Sequence, residues 1–415
     1  MIIHIYKICR NQKRENIWIW LELTFVSLIL WVVIDAVYVK TAEYFSPLGH
    51  NINHVYRIEF NSPSQNNNEA ITNGEKLLMM ADRIRSYQGV EAVAISQLSI
   101  PYGTYSQNER LRRDTLNNEK SDIISARVRR VTPDFFRVFG SADPEEKMNS
   151  LSNAIMDERN GIINTTLKNI LYPNKNAINE SVFIGDDTNL TEKIIAGTIS
   201  SFRNSEFDSN RSSSTLFIRL TEKEISESQR LRYDLTIRVN PAADNNFIER
   251  FKREMNKSLY IDGLFMTDIT PMSLKRAQVN SNELDKIEQM GLIGLFLLIN
   301  IFLGVAGTFW YRTRQRKNEM GLRIAMGSTR SGLQQLMIGE GLVLLTLSIL
   351  PAVIIAFNIG LTDMINVDRM PFTMNRFLIT QGVTVWLMAL MVCIGIYFPA
   401  RSISRLQPAD ALRYE

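Results

Sequence analysis

Few residues of this sequence have the types and spacing that catalysis or metal binding requires. His50 and His54 stand four residues apart and would share one helix face as metal ligands, but no third ligand lies near them in the sequence. Surface or strand-edge positions are the simpler interpretation. Glu206 and Asp208 lie in a stretch rich in Asn and Ser, 201–214, which predicts a solvated and mobile loop. We therefore predict no catalytic residue and no metal site.

Nucleotide chemistry is also missing from the sequence. A phosphate-binding loop needs Lys directly after its last Gly, and no Gly-Lys dipeptide occurs. No Gly-x-Ser-x-Gly elbow, which would carry a nucleophilic serine, occurs either. We predict a chain that is not an enzyme and holds no cofactor of its own, so that any ATP and Mg²⁺ must be bound by a partner.

The sequence contains four apolar runs that could cross a membrane, and their positions determine on which side each polar segment lies. Each run is close to the ~20 residues that a helix needs to cross ~30 Å of hydrocarbon. The first run contains Glu22 and Asp35, which at ~1.5 Å per residue lie about 20 Å apart, near opposite interfaces. A cleaved signal peptide is the alternative for this run, but no small-x-small cleavage site follows it. We interpret it as a retained anchor. The predicted spans are 17–39, 290–311, 337–359 and 377–399.

Cations decide the predicted orientation. They crowd the connection between the second and third spans, against the single acid Glu319, and they also flank the first span, so both regions belong in the cytoplasm. The chain is then predicted to lie in the inner (cytoplasmic) membrane with both termini inside and a large domain in the periplasm. The net charge of +4 and the absence of a basic tract interleaved with aromatic residues argue against nucleic acid as a partner. The predicted segments are a cytoplasmic N-terminus (1–16), an extracytoplasmic domain (40–288), a cytoplasmic connection (312–336), an extracytoplasmic loop (360–376) and a cytoplasmic tail (400–415).

The extracytoplasmic domain is predicted to be mixed α/β and to have two parts. The pattern of apolar residues predicts two strand–helix–strand units, one beside each anchoring span. In each unit the strands show alternation and the helix shows helical spacing. We predict that these two units form a membrane-proximal part, 40–99 with 229–288, and that 100–228 is an inserted β-rich part. The fold class is thus a four-helix membrane protein with an α/β domain of two subdomains. The segments behind the two units are 54–60, 77–84 and 90–95, then 235–239, 247–259 and 263–269.

The connection from Arg312 to Glu340 reads RTRQRKNEMGLRIAMGSTRSGLQQLMIGE. It resembles the signature of the FtsX-like permease family, in which basic residues precede a Glu-Ile-Gly-Ile-Arg-x-x-Leu-Gly-Ala pattern. The matching residues are Glu319, Gly321, Arg323, Ala325 and Gly327. Elements near the end of the chain, Pro-Ala-Arg at 399–401 and Pro-Ala-Asp-Ala-Leu-Arg at 408–413, are similar to that family's closing motifs. The stretch 131–140, VTPDFFRVFG, resembles a motif of MacB-like periplasmic domains.

The resemblance implies a permease subunit that works with an ABC ATPase. In such assemblies a short cytoplasmic helix docks on the ATPase, and ATP-driven closure is relayed outward to export or extract a substrate. In this chain that helix would lie within 319–336, with Gly321 and Gly327 permitting close backbone approach. Glu319, Arg323 and Arg330 would offer polar partners. Glu340 could pair with the basic residues or extend to the lipid headgroups.

The partners implied by the resemblance are a cytoplasmic ABC ATPase, a second permease subunit in a homo- or heterodimer, a periplasmic adaptor and the lipid bilayer. The basic run 312–317 taken alone is typical of any cytoplasmic loop. A second function also fits the sequence, namely a transmembrane regulator or sensor that switches an extracytoplasmic partner such as a cell-wall hydrolase.

Overall fold

A computed structural model describes residues 13–62, 71–103, 105–113, 123–140, 145–186, 189–208, 213–362, 365 and 369–404. The chain divides into a helical unit, Met1–Ala42 with Leu284–Glu415, and an α/β unit, Glu43–Glu283. Part of the predicted N-terminal segment, part of the tail and residues 209–212 of the predicted loop lie outside the described residues. In chain order the elements are α1 (Lys13–Phe45), β1 (Val55–Asn61), α2 (Asn73–Arg85), β2 (Val90–Gln97), β3 (Asn108–Arg112), β4 (Ile124–Val131), α3 (Phe135–Phe139), α4 (Glu145–Ala154), β5 (Asn160–Asn164), α5 (Thr165–Leu171), β6 (Ser181–Asp186), β7 (Asn189–Ile199), β8 (Thr215–Arg219), α6 (Glu222–Ser226), β9 (Asp234–Val239), α7 (Phe247–Met255), β10 (Phe265–Pro271), α8 (Met272–Gln315), α9 (Lys317–Ala325), α10 (Arg330–Leu361) and α11 (Met374–Ser404).

In the part of the chain that the structure describes, four helices are long and apolar enough to cross a membrane, namely Ile17–Phe45 within α1, α8, α10, and Met374–Ile403 within α11. Each predicted span lies inside one of them. Apolar side chains facing inward, such as Leu23, Val305, Leu344 and Ile396, form one buried cluster among these helices. The long side chains on the other faces of the helices are exposed, as expected of helices that lipid would surround.

Pro351 lies inside α10 without ending it. A proline cannot donate to the carbonyl four residues earlier, so the oxygen of Leu347 loses its helical partner. The indole Nε1 of Trp20 on α1 donates to that oxygen at 3.0 Å, and Thr24 Oγ1 donates to the oxygen of Ser348 at 3.1 Å. Two polar side chains of α1 thus bind the backbone where the proline weakens α10, which fixes α1 against α10.

A buried ion pair joins α1 to α11. Asp35 Oδ1 accepts from Arg376 Nε at 2.9 Å, and both side chains are 0 % exposed. Arg376 also donates to the oxygen of Met370 at 2.6 Å, and Trp31 Nε1 donates to Thr380 Oγ1 at 3.1 Å. The sequence placed Asp35 near an interface but gave no reason to pair it with Arg376.

The α/β unit is built on a ten-stranded sheet with the order β10-β1-β9-β2-β4-β3-β6-β7-β5-β8. The strands β10, β1, β9 and β2 are antiparallel neighbours. They come from the two predicted strand–helix–strand units, which interleave as a split βαβ arrangement. Helices α2 and α7 share one buried cluster with these strands, through residues such as Leu77, Ile84, Phe251 and Ile237. The side chain of Thr72 caps α2 by accepting from the Glu75 backbone at 3.1 Å.

The strands β4, β3, β6, β7, β5 and β8 close into a ring, because β8 pairs in parallel with β4 as well as antiparallel with β5. Alternate residues on these strands, including Val128, Ile163, Val182 and Leu216, form one buried cluster. The only ladder between this ring and the open part of the sheet joins Ser96 to Val131 and Gln97 to Arg130 in the described chain. All the strands nevertheless belong to one sheet, so the division into two subdomains stays a prediction.

The expectation of a solvated loop at 201–214 is wrong for its described residues, whereas the mobility of this loop stays a prediction. Glu206 is only 1 % exposed, and Arg203 and Phe202 are also buried. Their polar atoms bind backbone and side chains from several elements, so the abundance of Asn and Ser in this stretch did not indicate solvent. The short polar strands β3 and β5 were likewise absent from the sequence prediction.

The two histidines have separate roles. His54 precedes β1 in a left-handed conformation (φ 59°), and its Nδ1 lies 2.7 Å from Asp244 Oδ2. His50 packs against the rings of Tyr102 and Phe202. They do not share a helix face, and no group of three potential metal ligands was found among the residues that the structure describes.

Candidate functional site

The short helix α9 lies between the long helices α8 and α10 and carries most of the predicted site residues. Arg316 interrupts the helix before it, with φ −95° and ψ 16°. Gly327 ends it with φ +96°. The Gly327 amide donates to the oxygen of Ile324 at 3.0 Å, and the Ser328 amide donates to that of Arg323 at 2.9 Å. This pair of bonds is a Schellman motif, which needs a residue in the left-handed region, so glycine is favoured at this position.

Thr329 then begins α10 by accepting from the Gly332 amide at 3.1 Å. The predicted docking helix within 319–336 is therefore divided between two helices, since α9 ends at Ala325 and Arg330 opens α10. No described atom lies within 4 Å of the position that a Cβ at Gly327 would take.

Arg316 fastens α9 to α10. Its Nη1 donates to both carboxylate oxygens of Glu340 at 3.0 Å, and its Nε donates to Glu319 Oε2 at 2.8 Å. Arg323 Nη2 donates to Glu319 Oε1 at 2.9 Å. The structure thus brings Glu319 and Arg323 together, as their spacing of four residues suggests, and adds Arg316 and Glu340 to the same network. The pairing of Glu340 with the basic residues, one of two possibilities that its position allowed, is the one observed.

The pKa values of Arg316 and Glu319 both shift toward the charged form. Burial disfavours the charge on Arg316, but its hydrogen bonds and proximity to Glu319 and Glu340 outweigh burial and raise the pKa of Arg316 above its usual value. The hydrogen bond from Arg316 lowers the pKa of Glu319, against the effect of partial burial, and Arg323 lowers it further. A carboxylate in the first turn also complements the partial positive charge of the α9 N-terminus.

The two faces of α9 differ. Met320 is buried in the apolar cluster of the helical unit, together with Leu333 and Met337 of α10. Leu322 and Met326, four residues apart, are 51 % and 73 % exposed. Residues at this spacing lie on one face, so α9 is anchored on one face and presents an apolar pair on another. The family signature indicated the acid, the glycines and the arginine, whereas nothing in the sequence singled out Leu322 and Met326 as an exposed apolar pair.

Gly321 is buried on α9, and Arg330 is exposed in the first turn of α10. A cation at a helix N-terminus is opposed by the helix dipole, typically by 0.3–1 kcal/mol. Arg330 is therefore not placed there for the stability of α10. For Ala325, the structure describes only that it lies in the last turn of α9.

Comparisons with known proteins support the family resemblance. Residues 291–408 match the family described as FtsX-like permease C-terminal, and this match includes α9 and its ion pairs. No curated protein matches the chain.

Among solved structures, the chain is similar to a domain of a permease protein from Porphyromonas gingivalis, with a TM-score of 0.32 and 14 % identity over 52 % of this chain and 90 % of that one. It is similar to the periplasmic region of MacB from Actinobacillus actinomycetemcomitans, with a TM-score of 0.32 and 13 % identity over 55 % and 94 %. It is also similar to the extracellular domain of the noncanonic ABC-type transporter YknZ from Gram-positive bacteria, with a TM-score of 0.30 and 12 % identity over 51 % and 100 %. The last part of the chain, residues 291–408 with α9, α10 and α11, is thus similar to the C-terminal domain of FtsX-like permeases.

Proposed function

We propose that this chain is the permease subunit of an ATP-binding-cassette assembly and relays ATP hydrolysis to its α/β unit. A separate cytoplasmic ATPase binds ATP and Mg²⁺ and pushes on α9. The α/β unit, on the opposite side of the membrane, then moves to export or extract a substrate. A second permease subunit and a periplasmic adaptor complete the assembly.

This proposal rests on the exposure of Leu322 and Met326 in a segment whose other contacts hold it against the helical unit. Met320 and the Arg316–Glu340 ion pair hold α9 against the helical unit, so a force on α9 reaches α10 directly. Exposed apolar residues at helical spacing suit a helix that docks into a groove of a partner. The charges of Glu319, Arg323 and Arg330 around this pair would orient the docked partner.

The connection to the α/β unit supports the relay. Helices α1 and α8 each contribute residues to both units, because the unit boundaries at 42/43 and 283/284 fall inside them. Helical hydrogen bonding continues through both boundaries. A displacement of α1 or α8 in the membrane would therefore also displace backbone that belongs to the α/β unit.

The test is capture of the ATPase. The full chain, purified from its own host in mild detergent, is expected to bring down an ATPase of the ABC type. Leu322→Asp and Met326→Asp each place a charge on the apolar face and are expected to lower ATPase recovery at least tenfold, a loss that needs only ~1.4 kcal/mol of binding free energy. Ser331→Asp, at an exposed position in α10, is the matched control and should retain the ATPase. Equal recovery with all three variants would contradict the proposal.

The orientation is tested by labelling. In a variant with Cys9 and Cys393 replaced by Ser, single cysteines are placed at the exposed positions Lys257 in the α/β unit and Ser328 after α9. A membrane-impermeant maleimide should label Lys257→Cys in intact spheroplasts and Ser328→Cys only after permeabilisation. Labelling of both from the same side would exclude a relay across the membrane.

A further inference from the structure

The buried loop Phe202–Asp208, which follows β7, is not explained by the ATPase-docking segment. Its backbone is tied to neighbouring segments, because the Arg203 amide donates to the oxygen of Leu48 at 2.9 Å and the Tyr102 amide donates to that of Asn204 at 2.8 Å. Its ionisable side chains Arg203 and Glu206 are almost completely buried. Charged groups are expensive to bury unless polar partners satisfy them.

Arg203 binds the end of α1. Its Nη1 donates to the backbone oxygens of Glu43 at 2.9 Å and Ser46 at 3.2 Å. These oxygens lie at and just beyond the last turn of the helix, where carbonyls lack intrahelical partners and the helix dipole favours a cation. The Nη2 of the same guanidinium donates to the oxygens of Glu206 and Asp208, which fixes the loop conformation.

Glu206 binds the beginning of α8. Its carboxylate accepts from Arg276 Nε at 2.5 Å, from Asn280 Nδ2 and, at 3.1 Å, from the hydroxyl of Tyr102. Arg276 and Asn280 are four residues apart in the first turns of α8 and therefore face the same way.

The loop is fastened to strand β4 as well. Arg127 Nη1 donates to Asp208 Oδ2 at 2.7 Å, and the guanidinium of Arg129 lies 4.7 Å from the ring centroid of Phe202. Both arginines belong to β4, the strand that pairs with β2, β3 and β8. One loop thus binds the end of α1, the beginning of α8 and the strand where the ring meets the rest of the sheet.

We propose that the 202–208 loop is the joint through which the ends of α1 and α8 move strand β4, an inference that rests on the proposed relay function. Apolar residues would hold these elements together as firmly as buried charges do. The carboxylate of Glu206 also makes directional hydrogen bonds to two turns of α8, and the guanidinium of Arg203 makes them to the end of α1. These bonds fix the position of each helix end. A shift of either helix end must therefore move the loop, and with it β4, or break the buried bonds.

Glu206→Gln tests the joint, because it keeps the side-chain shape but removes the charge that binds Arg276 and Asn280. The matched control is Glu180→Gln, which removes an acid that accepts from Lys175 in the same unit. Amide hydrogen exchange of the full chain in lipid nanodiscs is expected to be at least tenfold faster in Glu206→Gln for peptides 43–50, 98–103, 200–208 and 272–283 together. Faster exchange confined to peptide 200–208, or an equal increase in Glu180→Gln, would contradict the proposed joint.

The second measurement follows movement. Spin labels at the exposed positions Ser125 on β4 and Asn282 on α8 report their separation in the complex with the co-purified ATPase, with and without ATP and vanadate. The nucleotide-dependent change should persist in Glu180→Gln and be lost in Glu206→Gln, while both retain ATP turnover. An unchanged response in Glu206→Gln overturns the joint and leaves the relay function standing. If no ATPase is recovered from wild type, the relay function fails, and hydrogen exchange decides the joint alone.

Arg276→Gln is the variant for the hydrogen-exchange test if Glu206→Gln does not fold. It removes one bond to the carboxylate at a half-buried position and leaves Asn280 and Tyr102 in place. The same peptides should exchange faster, with a smaller increase than in Glu206→Gln. No increase in any peptide outside 272–283 would count against the joint.

Discussion

Asp35 and Arg376 illustrate how single residues determine the packing of the helical unit. Each would be an uncompensated buried charge without the other, and removing one partner of such a pair typically costs 3–5 kcal/mol. Asp35→Asn and Arg376→Gln are each expected to lower the free energy of unfolding by about 3–5 kcal/mol, and the double variant by much less than the sum. Unfolding of the full chain in detergent measures this coupling.

Asp285→Asn, at an exposed position on α8, is the control for loss of an acid and should change the free energy of unfolding by less than about 0.5 kcal/mol. Strictly additive losses in the double variant would show that Asp35 and Arg376 do not stabilise one another.

His50 predicts a pH dependence of the α/β unit. Burial of the ring, and secondarily the charge of Arg129, lower its pKa to about 3. The unfolded chain, with a histidine pKa near 6.5, then binds more protons than the folded chain between about pH 3 and 6.5, so stability falls as the pH falls through this window and is constant above it. At pH 5 the loss from this residue is about 2 kcal/mol.

His50→Phe, which can pack between Tyr102 and Phe202, is expected to remove that part of the pH dependence. The measurement is the free energy of unfolding of wild type and variant at pH 5 and pH 7.5. His54→Phe, at the half-exposed position beside Asp244, is the comparison for loss of the other histidine of the same segment. Equal pH dependence of wild type and His50→Phe would contradict the assignment.

At the scale of elements, α9 depends on Glu319. Glu319→Arg places a third cation beside Arg316 and Arg323, which breaks both ion pairs on α9 and releases its first turn from α10. We expect ATPase stimulation by the permease to fall about tenfold or more, since ~1.4 kcal/mol of lost coupling is sufficient. Membrane insertion should be unaffected.

The matched control is Glu288→Arg, the same substitution at an exposed position on α8. ATP turnover of the reconstituted complex and extraction of the permease from carbonate-washed membranes are the two measurements. Normal stimulation with Glu319→Arg would show that the ion pairs of α9 are not needed for coupling.

The elements themselves were predictable where one periodicity dominates. The four apolar helices and both strand–helix–strand units follow from run length and from alternation, because burial on one face imposes these patterns. Strand β3, Asn-Glu-Arg-Leu-Arg, carries a single large apolar residue, Leu111, and gives no such pattern. The 202–208 loop was misjudged for a related reason. Its polar residues are satisfied by elements far away in sequence, which no local pattern can show.

Part of the geometry of the candidate site was predictable from the sequence. The spacing of Glu319 and Arg323 and the position of Gly327 follow from helix geometry and from the family motif. The long-range partner Glu340 was one of two possibilities, and only packing of α9 against α10 decides between them. The exposure of Leu322 and Met326 could not be read from the sequence, because apolar residues at helical spacing more often face a core.

At the scale of the whole molecule, the described residues of the α/β unit form three apolar clusters, one of which joins the ring of strands to the open part of the sheet. The joining cluster takes Val55, Ala92 and Ala94 from the open strands and Ile162 and Phe217 from the ring. Phe135 of α3, which is fully buried, lies at its centre, 4.7 Å from the Phe139 ring and 6.0 Å from the Phe217 ring. The ladder between the two parts of the sheet is short, so this cluster should provide most of their cohesion.

Phe135→Ala is therefore expected to cost about 3–5 kcal/mol and to lower hydrogen-exchange protection both in β9 of the open part and in β7 of the ring. Phe251→Ala, an equally buried phenylalanine in the cluster of α2 and α7, is the matched control. It should lower protection in β9 and leave β7 largely unchanged. Among the described residues, the only member of that cluster next to a ring strand is Leu220, directly after β8. If both variants lower protection equally in β7 and β9, the α/β unit unfolds as one cooperative body. The joining cluster would then have no special role in holding the two parts of the sheet together.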